Sequence, residues 1–338
     1  MVFAILAGIL NGNMQEIKWG IIGCGDVTEV KSGPAFNKVS NSSLVAVMRR
    51  DAAKAQDYAL RHGVPKWYTD ADELINDPEI NAIYIATPPA QHEAYCLLAL
   101  AAGKPVYVEK PMTLNAASGR RMEAASVLYD TKLTVAHYRP AQPMFLKIKS
   151  LLDEGAIGDI RFASLQMLQP QESAIIANSA TNWRLDPAIS GGGLFHDLAP
   201  HQLDLMVYFF GAFDQSSGLS LNQTGRARVD DLVTGHIQFK SGVIFTGTWC
   251  FSVSAQDKTD SCEIIGSNGK ISFPVFGNRV VLKKEGKEEV FVFDALEHVQ
   301  QPMIEKVTAY FLGEAENPCS AAQAILSMEL MDSFTSQK

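Results

Sequence analysis

Several features of specialised proteins are missing from this 338-residue chain. Its five cysteines, Cys24, Cys96, Cys250, Cys262 and Cys319, are scattered, with neither a C-x-x-C pair nor a Cys/His cluster at zinc spacing. They predict free thiols in a reducing compartment, which is typical of the cytoplasm. The net charge is −8 and no block of basic residues is present, so neither nucleic acid nor an anionic membrane surface is an expected partner.

Long hydrophobic runs are scarce as well. The opening stretch MVFAILAGILNGN has an apolar run of about nine residues, which is too short to span a bilayer. It also lacks the basic n-region of a signal peptide. Because the first strand-like run begins near Ile17 and Met14 precedes it, we predict that residues 1–13 are an extension without a role in the fold.

The composition is that of a globular chain, 47% hydrophobic and 20% charged, and the length favours two domains. From Ile17 to about Tyr138, short runs rich in Val, Ile and Tyr alternate with helix-like stretches. One such stretch begins at Asp51 and closes at Gly63, where a helix C-cap favours a left-handed residue. The alternation predicts an α/β domain over residues 14–138, a Rossmann domain with a doubly wound parallel sheet.

After residue 139 the composition shifts toward strands, including the runs IRFASLQMLQ, LVTGHIQF and GVIFTGTWCFSV. Turns at Lys240-Ser241-Gly242 and Asn268-Gly269 favour antiparallel hairpins. We predict that residues 139–338 form an α+β domain with a large, mostly antiparallel open sheet. It ends in two helices, near 298–312 and 320–336, which could pack back on the first domain. A sheet with one uncovered face predicts a homodimer or homotetramer.

A glycine-rich turn follows the first strand in the segment GIIGCGDVTEV. Gly23 would permit the tight turn, and Gly25 would let backbone N–H groups at the next helix approach a pyrophosphate. Thr28 stands where a third glycine of G-x-G-x-x-G is common. This context indicates a dinucleotide site, and a purely structural turn is the alternative. The residues predicted to form the site are Gly23, Gly25, Asp26, Val27 and Thr28.

The end of the second strand bears on which dinucleotide is bound. NAD-binding domains usually place an acidic residue there for the ribose 2′-hydroxyl, whereas an arginine suits the 2′-phosphate of NADP. Arg49 occupies this place, followed by Arg50. We therefore favour NADP over NAD, with both arginines as cofactor-binding residues. The alternative is that they are solvated surface charges and that Asp51 binds the ribose of NAD.

Two further motifs contain residues suited to proton transfer. Glu109-Lys110-Pro111 follows a strand at the carboxyl edge of the sheet, where the ammonium of Lys110 could polarise an alcohol or carbonyl oxygen. Asp197 and His201 are spaced i, i+4, and a histidine beside a carboxylate is a natural acid/base pair. Pro200 leaves open whether the helix is continuous or begins near this proline, with Asp197 in the preceding turn.

Plainer interpretations stay open for both motifs. Lys110 could be a surface residue in a turn, and the pair Asp197 and His201 could be a charge cluster at a helix N-terminus. Asp204, three residues further along the same helical stripe, could be a structural polar group.

These motifs together resemble the Gfo/Idh/MocA family, which contains glucose-fructose oxidoreductase and inositol dehydrogenase. The resemblance rests on GIIGCGDVTEV, on Thr87-Pro88-Pro89-Ala90-Gln91-His92, on Glu109-Lys110-Pro111, and on GGGxxxDxxxHxxD from Gly191. It covers the chain from about Gln15 to the C-terminal helices. It implies a Rossmann domain followed by a C-terminal α/β domain. It also implies oxidation or reduction of sugars, inositols and related polyols with NAD or NADP.

The resemblance also implies roles for individual residues. Lys110 would be the lysine of the Glu-Lys-Pro motif, Asp197 the substrate-orienting carboxylate and His201 the general acid/base. The nicotinamide half of the cofactor would lie along Thr87, Pro88, His92, Glu109 and Lys110. The substrate would be surrounded by Tyr138, Arg139, Trp183 and Arg184.

The hypothesis is hydride transfer between a secondary alcohol carbon of a sugar or polyol and the nicotinamide, with no metal required. One alternative is a redox-neutral enzyme of the same architecture, in which tightly held NAD transiently oxidises a sugar so that a glycosidic bond can be eliminated. A second alternative is a non-catalytic regulator that senses a dinucleotide and binds another protein.

Overall fold

The computed structural model describes residues 15–170 and 183–335. The extension predicted for residues 1–13 lies outside these ranges. Within them the chain forms two β-sheets, one of six strands and one of eight, which correspond to the two predicted halves. None of the helices in this part of the chain has the length and apolar character needed to cross a bilayer.

The first sheet is parallel throughout. Its strands are β1 (Ile17–Ile22), β2 (Ser42–Met48), β3 (Lys66–Tyr68), β4 (Ala82–Ile85), β5 (Val106–Val108) and β6 (Leu133–Val135). The helices in its connections are α1 (Asp26–Val30), α2 (Ala52–His62), α3 (Ala71–Ile75), α4 (His92–Ala101) and α5 (Ala116–Leu128). The strand order β3-β2-β1-β4-β5-β6 is that of the doubly wound dinucleotide-binding fold, so the predicted Rossmann sheet is confirmed.

Local sequence explains most of these elements. All residues of β4 are buried, because helices cover both faces of a parallel sheet and its strands are therefore continuously apolar. Helix α2 ends at Gly63, which adopts a left-handed φ of 64° as predicted. No comparable apolar pattern marks strand β3, because its three residues are partly exposed at the edge of the sheet.

The second sheet is mostly antiparallel, as predicted. Its strands are β7 (Ile160–Leu168), β8 (Phe213–Leu221), β9 (Leu232–Phe239), β10 (Ile244–Cys250), β11 (Thr259–Gly266), β12 (Gly269–Phe273), β13 (Arg279–Lys284) and β14 (Lys287–Val292). Their order is β14-β13-β12-β11-β7-β10-β9-β8, and only β7 and β10 pair in parallel among the described pairs. Both predicted hairpins form, joining β9 to β10 and β11 to β12.

The remaining helices connect this sheet with the first. They are α6 (Pro143–Asp153), α7 (Pro187–Ser190), α8 (Gly193–Phe210), α9 (Gln301–Leu312) and α10 (Ala321–Thr335). Helix α8 packs on the inner face of the second sheet, where Trp249 Nε1 donates to Gln202 Oε1 at 2.7 Å. Helix α10 returns to α5, and Asp332 accepts the backbone N–H of Ala116 at 2.9 Å. A domain boundary near residue 138 stays a prediction.

Candidate active site

The glycine turn lies where the strand order reverses, between β1 and β4, which is where ligands bind in open α/β sheets. Gly23 has a φ of +94°, and a Cβ on this residue would lie 2.7 Å from Cγ2 and 2.8 Å from the backbone N of Thr87. Both its conformation and the approach of Thr87 therefore require glycine. The turn brings the residues that follow β1 against those that follow β4.

Gly25 is glycine for a different reason. Its φ of −127° and ψ of −156° are extended, and a Cβ would meet only the carbonyl oxygen of Gly23, at 3.9 Å. Neither backbone conformation nor packing within the chain excludes a side chain here. The space in front of Gly25, Asp26 and Val27 thus fits a pyrophosphate that approaches the backbone closely. Thr28 is buried in α1, and its hydroxyl donates to the carbonyl oxygen of Gly25 at 2.8 Å.

We expect Gly25→Ala to fold normally and to bind NAD(P) roughly tenfold more weakly or worse, a loss of about 1.4 kcal/mol or more. The added methyl group would occupy space that the ligand needs, but it would not clash with the rest of the protein. Calorimetric titration with cofactor measures the affinity, and thermal unfolding measures stability. Gly23→Ala is the contrast, because its positive φ and the contact with Thr87 predict a lower unfolding temperature. Unchanged affinity in Gly25→Ala would refute this placement of the pyrophosphate.

The structure places Arg49 against the glycine turn. Its guanidinium Nη1 donates to the carbonyl oxygen of Cys24 at 3.0 Å. Arg50 is exposed beside it. The carboxylate of Asp51 instead caps helix α2, accepting the backbone N–H of Lys54 at 3.2 Å.

His92 joins the loops that follow β4 and β5. Its ring is fully buried, with Nδ1 3.0 Å from the carbonyl oxygen of Pro111 and Nε2 2.7 Å from that of Thr87. The histidine therefore positions the two loops, and its direct contact with the cofactor stays a prediction. Thr87 Oγ1 is buried without a hydrogen-bond partner in the described chain, and Pro88 follows it. The Thr87 hydroxyl is therefore available to form a hydrogen bond with a bound nicotinamide group at the carboxyl edge of the first sheet.

The carboxylate of Glu109 is part of a buried hydrogen-bond network. The Tyr84 hydroxyl and the Gln300 side-chain amide each donate to Glu109 Oε1 at 2.6 Å. The other oxygen accepts the backbone N–H of Lys110 at 3.1 Å. Burial, and then the charge of Glu109, raise the pKa of Tyr84, so its phenol stays a donor. The network holds the end of β5, from which the Lys110 side chain extends. Gln300 lies far away in sequence, and no local pattern indicates its role.

Asp197 lies between two cations from different parts of the chain. Lys110 Nζ donates to Asp197 Oδ1 at 2.9 Å and to its backbone carbonyl at 3.0 Å, while Arg184 Nε donates to Oδ2 at 2.7 Å. Burial by itself raises the pKa of Asp197, but the charges of Lys110 and Arg184 outweigh it and lower the pKa. Burial lowers the pKa of Lys110, but Asp197 and Glu109 reverse this, so the ammonium stays charged.

Helix α8 corrects the prediction at Pro200. It runs unbroken from Gly193 to Phe210 with Pro200 inside, so the alternative in which it begins near the proline is wrong. Nearly every residue of α8 is buried, and this packing offsets the hydrogen bond that a proline cannot donate. Asp197 and His201 therefore occupy successive turns of one helix.

The structure also shows which groups the Asp197 carboxylate binds. In the described ranges no hydrogen bond joins Asp197 to His201, and the carboxylate oxygens bind Lys110 and Arg184 instead. Two cations attract a carboxylate more strongly than a neutral imidazole does. The Nδ1 atom of His201 has no hydrogen-bond partner within the described chain.

His201 is a buried, neutral base. It is 5% exposed, and its ring meets Tyr138 edge-on at 5.1 Å and Phe276 at 5.7 Å between centroids. Burial, followed by the positive charges of Lys110 and Arg139, lowers the pKa of His201 well below its usual value. At neutral pH the imidazole can therefore accept a proton.

The predicted substrate surroundings fall into two groups. The Arg139 guanidinium is buried, lies 4.2 Å from the centroid of Phe276 and donates to the carbonyl oxygen of Val275 at 2.7 Å. It supports the aromatic wall beside His201, and its contact with substrate stays a prediction. Trp183 and Arg184 stack with 4.4 Å between guanidinium carbon and ring centroid, next to Asp197.

Asp204 is almost completely buried, although it lies on the same helical stripe as Asp197 and His201. It is 1% exposed, and its Oδ1 lies 3.9 Å from Nδ1 of His137, which is equally buried. Burial raises the pKa of Asp204 and lowers the pKa of His137 to about 3. Burial therefore disfavours the charged form of both groups, which favours the structural interpretation of Asp204.

Known proteins are similar to this chain along most of its length. A sequence model described as "Oxidoreductase family, NAD-binding Rossmann fold" matches residues 17–137, and a "GFO/IDH/MocA C-terminal domain" model matches residues 145–272. Oxidoreductase P35 of Formosa agariphila is 48% identical over 320 residues, which are 95% of this chain and 98% of that protein. Trans-1,2-dihydrobenzene-1,2-diol dehydrogenase of Oryctolagus cuniculus is 33% identical over 272 residues, 80% of this chain and 78% of that protein.

Solved structures share the fold at lower identity. Levoglucosan dehydrogenase in complex with NADH and levoglucosan has a TM-score of 0.84 at 21% identity, covering 95% of this chain and 96% of that one. A 3-ketoreductase from Actinomadura kijaniata with NADP and TDP-benzene has a TM-score of 0.81 at 20% identity, covering 95% and 98%. Because the sequence models and the curated relatives match most of the chain, the resemblance is confirmed. This chain belongs to the Gfo/Idh/MocA family of oxidoreductases and has an NAD(P)-binding domain.

Proposed function

We propose that this protein is an NAD(P)-dependent dehydrogenase or reductase that interconverts a secondary alcohol and a ketone on a sugar, inositol or related polyol. The observation that carries the proposal is the cluster of Lys110, Asp197 and His201 at the carboxyl edge of the first sheet. The relative named for a dihydrobenzene diol, a compound with two CH–OH groups, supports this substrate class.

The residues of the glycine turn fit a dinucleotide, because Gly25 leaves space for it and Thr87 has an unused hydroxyl. When bound there, the nicotinamide supplies a hydride acceptor or donor. In the oxidative direction, the neutral imidazole of His201 takes the hydroxyl proton as the carbonyl forms. The ammonium of Lys110 stabilises the negative charge that develops on the substrate oxygen. Asp197 orients that ammonium, since it accepts a hydrogen bond from it at 2.9 Å.

NADP is the cofactor that we propose as preferred. Arg49 is held at the glycine turn, and Asp51 is engaged as a helix cap, so the arginine is the better placed of the two to meet the adenosine ribose. We expect Arg49→Asp to raise the KM for NADP roughly tenfold or more, equivalent to about 1.4 kcal/mol. The KM for NAD should fall or stay unchanged. Arg161→Asp, an exposed charge reversal on β7, is the control, and equal NADP kinetics in both variants would contradict this preference.

The test of the function is a screen of inositols, aldoses, ketoses and diols with both cofactors, followed by nicotinamide absorbance. We expect net reduction of NADP or NAD with at least one compound. Cofactor that copurifies and is not consumed while a glycosidic bond breaks would favour the redox-neutral alternative. Cofactor binding without turnover of any compound would favour the regulator.

We also propose that the protein is a cytoplasmic homodimer or homotetramer. The outer face of the second sheet exposes apolar side chains on several strands, namely Phe162, Leu219, Leu221, Ile244, Val290 and Val292. Apolar area of this kind is typical of a contact surface. All five cysteines are free, which supports a reducing compartment. Light scattering that shows a monomer would reject the assembly.

A further inference from the structure

Lys31 is a charged residue beside the site to which no motif assigns a role. Its backbone carbonyl accepts the N–H of Gln300 at 3.1 Å, and the side chain of Gln300 donates to Glu109 at 2.6 Å. The Oγ of the adjacent Ser32 lies 3.1 Å from the Tyr84 hydroxyl oxygen, and that hydroxyl donates to Glu109 at 2.6 Å. Two independent hydrogen-bond routes therefore hold Lys31 next to the Glu109 carboxylate.

The side chain of Lys31 is exposed to solvent. The surrounding protein, and then the charge of Lys110, lower the pKa of Lys31, while the charge of Asp197 acts in the opposite direction. Lys31 in turn contributes to the lowered pKa of His201. The hydrogen bonds of Lys31 and Ser32 with Gln300 and Tyr84, together with this exposure, place Lys31 at the solvent-facing edge of the network around Glu109.

The ammonium of Lys31 has no partner in the described chain, with neither a hydrogen bond nor an ion pair. Lys110 and Arg184 differ from it, because both bind Asp197. Among the described residues, the three cations Lys31, Lys110 and Arg184 lie near two carboxylates, those of Asp197 and Glu109, in a protein whose net charge is −8. A local excess of positive charge in an acidic protein favours an anionic ligand at that place.

We propose that Lys31 binds a carboxylate of the substrate, so that this enzyme acts on acidic sugars or polyols, such as uronic or aldonic acids, in preference to neutral ones. The inference rests on the proposed function and names its substrate class. The reacting hydroxyl would meet Lys110 and His201 while the carboxylate meets Lys31, so the substrate is held at two points.

The chemistry of the site favours a substrate carboxylate over other anions. A single ammonium matches one negative charge, whereas a doubly charged phosphate is better matched by the fork of an arginine. The cofactor pyrophosphate is a less suitable ligand, because its expected place at Gly25 is at the opposite end of α1. The five residues of this helix separate the two places by about 8 Å.

The experiment compares kcat/KM for matched acidic and neutral compounds, glucuronate with glucose, galacturonate with galactose, and gluconate with sorbitol. Glucose 6-phosphate tests a doubly charged anion. The variants are Lys31→Met, which removes the charge at similar length, and Lys31→Arg, which keeps it. Lys38→Met is the control, since Lys38 lies seven residues further along and pairs with Glu297 at the surface.

We expect the acids to exceed their neutral partners at least tenfold in kcat/KM, equivalent to about 1.4 kcal/mol. Lys31→Met should remove this preference through the KM of the acids, with the KM of the cofactor unchanged. Lys31→Arg should keep most of the preference.

Three results would overturn the inference and leave the proposed function intact. They are equal kcat/KM for acidic and neutral partners, a KM for the cofactor that rises in Lys31→Met with every substrate, and a preference for glucose 6-phosphate over the carboxylates. Absence of cofactor turnover with every compound would instead defeat the proposed function, and the inference with it.

Discussion

Replacing His201 with asparagine should lower kcat by about 10²- to 10⁴-fold, because the reaction loses its general base. Asparagine keeps a polar side chain but cannot take a proton from the substrate hydroxyl. His201 is buried against Tyr138 and Phe276, and no other histidine of the described chain lies on the same aromatic wall. Cofactor affinity should stay nearly unchanged, because His201 is on α8 and the glycine turn is after β1.

The pH dependence gives this prediction a second readout. A base must be unprotonated, so oxidation by the parent enzyme slows as the pH falls through the pKa of His201. Because burial and nearby cations lower that pKa, the acid limb of kcat/KM lies below the value of about 6.5 that is usual for histidine. Above that pH the contribution of His201 is constant. In His201→Asn the acid limb assigned to this residue should disappear.

A matched control is His236→Asn, because His236 is exposed on the outer face of the second sheet. Its kcat and pH profile should equal those of the parent enzyme. Thermal unfolding of both variants verifies that each is folded. A folded His201→Asn enzyme with parental kcat would remove His201 from the mechanism.

Lys110→Met should lower kcat by about 10²- to 10³-fold, because the developing oxyanion loses a positioned positive charge. The substitution has a second consequence within the site. Asp197 keeps Arg184 as a cationic partner but loses the ammonium that binds Oδ1 at 2.9 Å, so its pKa should rise. Steady-state rates at saturating cofactor measure the first effect, and the cofactor dissociation constant should be nearly unchanged.

Two further variants serve as controls, one for the loss of a lysine at the surface and one for the loss of positive charge at position 110. Lys149→Met removes a surface lysine that pairs with Asp153 on α6, and it should leave kcat unchanged. Lys110→Arg keeps the positive charge beside Asp197 and should unfold at a temperature close to that of the parent, with kcat still reduced because a guanidinium is larger and planar. If the folded Lys110→Met variant keeps the kcat of the parent enzyme, the ammonium of Lys110 does not stabilise a developing oxyanion.

Local sequence patterns predict some contacts of the candidate site but not others. The i, i+4 spacing correctly places Asp197 and His201 on successive turns of α8. It also suggested that the two side chains pair, and they do not. Arg184, whose hydrogen bond to Oδ2 competes for the carboxylate, comes from outside the helix, so no periodicity within α8 can reveal it.

The residues that the motifs omit are the partners of Glu109. Tyr84 comes from β4 and Gln300 from the start of α9, and both donate to the same carboxylate oxygen. Tyr84 looks like an ordinary apolar strand residue, and Gln300 like a polar residue at a helix start. Lys31 is a similar case, because it follows a five-residue helix and belongs to no motif.

Elements with local sequence signals could be predicted before the structure was known. Buried parallel strands are continuously apolar, and a glycine with positive φ ends α2, so the Rossmann half can be predicted from the sequence. Three features depend on the tertiary structure: the parallel pairing of β7 with β10, the cations that the Asp197 carboxylate binds, and the hydrogen bond from Gln300 that places Lys31 beside the Glu109 network. A charged group binds the partner that folding brings within hydrogen-bond distance, and sequence separation sets no limit on which partner that is.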